Sequence, residues 1–115
     1  MKVTIYHNPR CSKSRQTLAL LQDRGIEPEI IEYLKTPPDA AALKRILSML
    51  GMTPRELMRR KEAVYREQGL DNPGLGDDEL IAAMVADPVL MERPVVIAGD
   101  RAALGRPPEK VLEIL

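Results

Sequence analysis

The run His7-Asn8-Pro9-Arg10-Cys11-Ser12-Lys13-Ser14-Arg15 places a thiol, an imidazole, two hydroxyls and three strong cations in nine consecutive positions. The thiolate rather than the thiol is the nucleophile; ordinary cysteine titrates near ~8.5, and helix N-termini or neighbouring cations bring it to roughly 3.5–7.5. Cys11 has both kinds of neighbour. It lies between a short apolar strand pattern and the first residues of a helical one, where unpaired backbone N–H groups favour an anion. Arg10, Lys13 and Arg15 add positive charge. A lone cysteine is most often a small buried apolar side chain. Structural thiols, however, do not usually sit among three basic residues at a helix start, so the pattern predicts a nucleophile. The same N–H groups and guanidinium offer a cradle for an oxyanion. His7 is either a tuning neighbour of the thiolate or a histidine held by a structural hydrogen bond.

Spacing narrows the chemistry. A low-molecular-weight phosphatase loop needs an arginine six residues after its cysteine, and Thr17 stands there. A dithiol oxidoreductase needs C-x-x-C, and Ser14 fills the second position. Serine cannot resolve a disulfide, but its hydroxyl can hydrogen-bond to a thiolate. Because Cys11 is the only cysteine, any disulfide it forms joins it to something outside the chain. With His7 as the only histidine, most tetrahedral zinc sites are excluded.

The elements that must position this loop can be read from periodicity. Val3 and Ile5 share one face of an opening strand. A helix follows from Ser12 or Lys13, with Leu18, Leu20 and Leu21 as its apolar stripe and Gly25 at its end. A second strand is expected over Glu29–Leu34, completing a parallel βαβ unit. Asp39 caps a helix bearing Leu43, Ile46, Leu47 and Leu50, which Gly51 stops. Thr53-Pro54-Arg55-Glu56 carries a cap, a first-turn proline and a capping-box acid, and predicts a helix running on toward Tyr65. After a loop at Asp71-Asn72-Pro73-Gly74, Asp77-Asp78-Glu79 opens another helix, which ends near Asp87-Pro88. Val95–Ala98, Gly99-Asp100 and Arg101–Leu104 form a hairpin, and a short last helix bears Val111, Leu112 and Leu115. The fold class is therefore α/β: a mixed four-stranded sheet with a helical insertion, over about 39–87, between βαβ and ββα halves. Residues 1–115 are expected to form a single domain.

Charge is balanced, with 17 basic and 17 acidic residues, so no overall basic field points to nucleic acid or a membrane surface. No run resembles a signal peptide or a membrane span, and the chain is expected to be soluble and cytoplasmic.

The segment His7–Arg15 with Thr17-Leu18-Ala19-Leu20-Leu21 resembles the opening of the glutaredoxin-linked arsenate reductase family (ArsC-like). The likeness continues through Leu57-Met58-Arg59-Arg60-Lys61-Glu62, Leu90-Met91-Glu92-Arg93-Pro94-Val95-Val96 and Gly105-Arg106-Pro107-Pro108-Glu109. It implies a thioredoxin-like fold and a mechanism in which the cysteine thiolate attacks bound arsenate. Glutathione then gives a mixed disulfide, glutaredoxin resolves it, and arsenite leaves. No bound cofactor is implied, and glutathione is a co-substrate. By motif match the family's oxyanion-binding arginines fall on Arg59, Arg93 and Arg106, with Arg60 adjacent to the first. Forked guanidinium donors suit a tetrahedral oxyanion better than lysine does. The resemblance also places a cis-proline facing the cysteine at Pro94, and leaves His7, Ser14 and Arg15 in supporting roles. Members known from arsenic resistance carry Gly-Thr where this chain has Ser12-Lys13 and run on past the position of Leu115. The Ser-Lys form matches a shorter branch. Two other readings stand beside it: a Spx-like regulator binding RNA polymerase, which shares the fold but typically begins with C-x-x-C or lacks the H-N-P-x-C run, and a glutathione-dependent thiol oxidoreductase not acting on arsenate.

Overall fold

The computed structural model describes residues 2–115. Alternation sets the first strand, β1 (Val3–His7), in which Val3, Ile5 and His7 point inward and Thr4 and Tyr6 do not. The helix α1 (Ser12–Asp23) follows, then β2 (Glu29–Glu32), which pairs parallel with β1. The hairpin of β3 (Val95–Ala98) and β4 (Arg101–Leu104) completes a four-stranded sheet in the order β2-β1-β3-β4, with β3 antiparallel to both of its neighbours. Gly99 turns the hairpin at φ +64, a conformation that side chains of L-residues avoid. This is the mixed sheet of a thioredoxin-like fold, as the sequence pattern implies.

One face of the sheet is closed by α1 and by a 3-10 helix, Pro108–Ile114. Val3, Ile5, Leu21, Val96, Ala98, Val111 and Ile114 form the shared core. The inward set of the last helix differs from the expectation of Val111, Leu112 and Leu115. At three residues per turn Pro108, Val111 and Ile114 line up and are buried, while Leu115 is exposed. On α1 the fully buried positions are Ser14, Thr17 and Leu21, with Leu18 and Leu20 only partly covered. The helix ends as predicted, with Gly25 at φ +76 and the N–H groups of Gly25 and Ile26 returning to Gln22 and Leu21. The second strand is shorter than expected: the N–H groups of Lys35 and Thr36 both turn back to the Glu32 carbonyl and end it there.

The chain divides into two compact units, Pro37–Glu92 and the residues on either side of it that build the sheet. Pro37–Glu92 holds α2 (Ala40–Leu50), α3 (Pro54–Leu57), α4 (Ala63–Glu67) and α5 (Asp77–Ala86), with α2 and α3 both packed on α5. Asp39 caps α2 by accepting from the Ala42 N–H at 2.7 Å, and Gly51 at φ +67 stops it. Thr53 and Glu56 form the expected capping box. The continuous helix expected from Pro54 toward Tyr65 is instead broken at Met58, which is extended and bridged to Met91. The Glu92 N–H donates to the Leu57 carbonyl and the Arg59 N–H to the Leu90 carbonyl, so backbone pairing with a distant segment replaces the helical bonds. Arg55 fastens the region, donating to the Tyr65 hydroxyl and to the carbonyls of Leu70 and Asn72.

Leu21 is fully buried in the sheet core and Leu20 is not. Leu21→Ala should therefore lower unfolding free energy by about 2–5 kcal/mol, and Leu20→Ala by clearly less, as read by urea denaturation.

Candidate functional site

Cys11 occupies the N-cap position of α1 with extended backbone angles and is only 8% exposed. The turn that delivers it is built by its own short polar groups. The Cys11 N–H donates to the Asn8 carbonyl at 3.0 Å, and the Asn8 side-chain oxygen accepts from the Arg10 N–H. The Arg15 guanidinium reaches back to the Pro9 carbonyl at 2.9 Å. No side chain caps α1; the sulfur lies where a capping oxygen would, facing the N–H groups of Lys13 and Ser14.

The charge on the sulfur is set by this geometry. Burial pushes the Cys11 thiol up; the Ser14 N–H, the hydrogen bond and charge of Arg93, and the Lys13 N–H outweigh it and hold the thiol below its ordinary value. The counter-charge is thus Arg93. The sequence expectation assigned it to Arg10, Lys13 and Arg15, but Arg15 is spent on the turn and the side chains of Arg10 and Lys13 are exposed. Lys13 contributes through its backbone.

Ser14 is fully buried and bonds in two directions. Its N–H faces the sulfur, while its hydroxyl oxygen lies 2.6 Å from His7 Nδ1 and accepts from the Asn8 N–H at 3.0 Å. The expected bond from the serine hydroxyl to the thiolate is therefore replaced by a bond to the imidazole. His7 is the last inward residue of β1 and is 7% exposed. Burial pushes its imidazole down, Glu32 opposes this, and Arg15 adds to it; the balance is below the ordinary histidine value. A Ser14 O–H directed at Nδ1 would leave the Ser14 oxygen free to accept from Asn8.

Arg93 reaches the sulfur because Tyr6 of β1 pairs with Val95 of β3, so the chain after β1 and the chain before β3 meet at the same end of the sheet. Its Nε and Nη1 are buried and have no hydrogen-bond partner. Arg106 donates from Nη1 to the Arg93 carbonyl at 3.2 Å. The Arg93–Pro94 bond is cis, and so is Arg106–Pro107, which sequence reasoning did not anticipate. Arg59 belongs to the other unit, where its half-buried guanidinium pairs with Glu62 at 3.4 Å and Glu92 at 3.5 Å, while Arg60 is exposed. Cys11, Arg93, Arg106, Pro94, His7, Ser14 and Arg15 all lie in the sheet unit.

Gly105 is the residue sequence reasoning passed over. Its N–H donates to the Pro94 carbonyl at 3.0 Å, and a Cβ there would collide with the Thr17 hydroxyl and come within 2.8 Å of the Pro94 ring. Only glycine fits between α1 and Pro94 while carrying the chain into Arg106. The signal available was its place directly before Arg106 in the Gly-Arg-Pro-Pro run. Among the described residues no group of three or more His, Cys, Asp or Glu side chains could hold a metal, and no helix is long and apolar enough to cross a membrane.

Two substitutions probe this arrangement. Arg93→Ala should move the pH midpoint of Cys11 alkylation by iodoacetamide upward, since a cation that favours the thiolate is removed. Gly105→Ala should destabilise the protein by about 1–3 kcal/mol through overpacking, seen as a lower denaturation midpoint.

The family model described as "ArsC family" matches residues 6–114. An arsenate reductase of Neisseria meningitidis serogroup A is 50% identical over 115 residues, covering 99% of this chain and 98% of its own. The Escherichia coli K12 protein YfgD is 57% identical, covering 99% and 97%. Among solved structures, an arsenate reductase from Vibrio cholerae superposes with a TM-score of 0.97 at 53% identity, covering 100% of this chain and 98% of that one.

Proposed function

This chain belongs to the ArsC family, and from that membership and the geometry around Cys11 we propose that it reduces arsenate to arsenite through the Cys11 thiolate, with glutathione as co-substrate and glutaredoxin regenerating the thiol. The observation that carries this reading is Arg93. Its guanidinium holds the sulfur while two of its buried N–H groups lack a partner. A buried donor without a partner costs about 1–3 kcal/mol, and an oxyanion brought to the sulfur would satisfy both donors with charge-assisted bonds. Arg106, joined to Arg93, adds a second guanidinium, and the family resemblance assigns Arg59 to the same anion.

The steps balance without any cofactor. Cys11 Sγ attacks arsenic, a sulfur–arsenic bond forms, and one oxygen leaves as water after taking up protons. Glutathione thiolate then attacks Cys11 Sγ. A disulfide forms, the sulfur–arsenic bond breaks with its electron pair kept on arsenic, and arsenite departs. The two sulfurs supply the two electrons. Glutaredoxin thiolate finally attacks the glutathione sulfur and frees Cys11. Because Cys11 has no second cysteine in the chain, the outside thiols are required by composition. His7 and Ser14 hold the loop in which the sulfur sits, Arg15 pins its turn, and Pro94 anchors Gly105 ahead of Arg106. A thiolate kept ready in this way needs a reducing compartment, which favours the cytoplasm.

In a coupled assay following NADPH oxidation with arsenate, glutathione and glutaredoxin, Cys11→Ser should abolish turnover. Arg93→Ala and Arg106→Ala should each lower kcat/KM for arsenate by about 10²–10³-fold. Formation of a Cys11–glutathione adduct with no arsenate turnover would replace this reading with a thiol oxidoreductase that ignores oxyanions.

A further inference from the structure

Beside the cysteine loop lies a cavity of about 380 Å³ to which the arsenic steps above assign no role. Its walls come from the end of β1 and the turn before Cys11 (His7, Asn8, Pro9 and Arg10) and from the end of β2 and the residues after it (Glu32, Leu34 and Lys35). The volume falls in the range of small-molecule sites. The charges are few and distinct. Glu32 and Lys35 stand 3.6 Å apart as an exposed acid–base pair. The Arg10 guanidinium has no hydrogen-bond or ion-pair partner among the described residues. Pro9 and Leu34 supply apolar surface, and Leu34 is 44% exposed.

The position of this cleft matters as much as its charge. The sheet order is β2-β1-β3-β4, and Cys11 follows β1. The cleft lies on the β2 side of the loop, whereas Arg93 arrives ahead of β3, on the other side. Displacement at a sulfur is in-line, so a thiol attacking Cys11 Sγ must approach from the side opposite the group that leaves. With the oxyanion on the Arg93 side, an in-line thiol would come from the opposite side, and the cleft lies toward β2, lined by residues of the turn immediately before Cys11.

The geometry points to this cleft as the binding site for glutathione, the chemical class being an anionic thiol peptide with one ammonium and two carboxylates. Glu32 takes the α-ammonium of the γ-glutamyl residue and Lys35 its α-carboxylate, each exchanging an exposed partner for a ligand group. Arg10 takes the glycyl carboxylate, and the peptide body lies on Pro9 and Leu34. The assignment rests on the reading of glutathione as co-substrate, but it concerns binding and can be measured without arsenate.

The measurement uses oxidised glutathione and the uncharged 2-hydroxyethyl disulfide with the reduced protein. In each case Cys11 thiolate attacks a disulfide sulfur, a new sulfur–sulfur bond forms, the old one breaks, and one thiolate leaves. Mass spectrometry follows the adduct. The ratio of the two rates removes changes in the intrinsic reactivity of Cys11, including those that reach it through His7, and a misfolded variant would lose both reactions together. Glu32→Gln should lower that ratio about tenfold, the loss of one charge-assisted hydrogen bond, and Lys35→Gln should do the same. The acidic residue is the decisive one. If the loop attracted glutathione only through its positive field, removing a negative charge would raise the ratio. A ratio that rises or stays unchanged in Glu32→Gln overturns the site. Absence of arsenate turnover alongside an intact preference for oxidised glutathione in the native protein would strike the reductase reading and leave this cleft standing.

Discussion

Contact with the partly buried Arg93 guanidinium favours the charged form of the enclosed Cys11 sulfur. Left alone, either charge would be expensive to remove from water, and a cysteine so enclosed would keep its proton. The Arg93 guanidinium and two helix N–H groups facing the sulfur oppose that cost and hold the thiol below its ordinary value. The rest of the sheet unit is arranged around that contact. It requires β1 and β3 to be neighbours, so that the loop leaving one and the segment entering the other share an end of the sheet. It also requires α1 to begin at the sulfur rather than at a capping side chain.

The local parts of this design were legible in the sequence because their causes are local. The start of α1, the Gly25 and Gly51 stops, the Asp39 cap and the Thr53–Glu56 box all follow from residues within a few positions of one another. The source of the positive charge was not legible in the same way. Arg10, Lys13 and Arg15 are near Cys11 in sequence, but Arg93 becomes its partner only through the pairing of two strands, and no spacing rule within the loop announces that. The resemblance to a family pointed to Arg93 as an anion ligand; that it also holds the thiolate emerged from the geometry.

Two of the misjudged features arise where tertiary bonds overrode local preference, and a third from the period of the last helix. The helix expected to run from Pro54 toward Tyr65 gives way at Met58 because Leu57 and Arg59 find backbone partners at Glu92 and Leu90. Ser14 was expected to turn its hydroxyl to the sulfur, but His7, the last inward residue of β1, is buried beside it and takes that hydroxyl into a hydrogen bond at Nδ1. In the final helix a three-residue repeat selected Ile114 over Leu115 for the core.

The bond from Arg106 to the carbonyl of Arg93 joins the two guanidinium groups through the main chain. If both bind the oxyanion as proposed, they act as one part with a shared hinge rather than as two additive ligands. Removing Arg106 frees the backbone from which Arg93 extends, so the contribution of either arginine depends on the presence of the other. On that reading, a change that alters anion affinity at one of these arginines also alters how strongly the thiolate form of Cys11 is favoured.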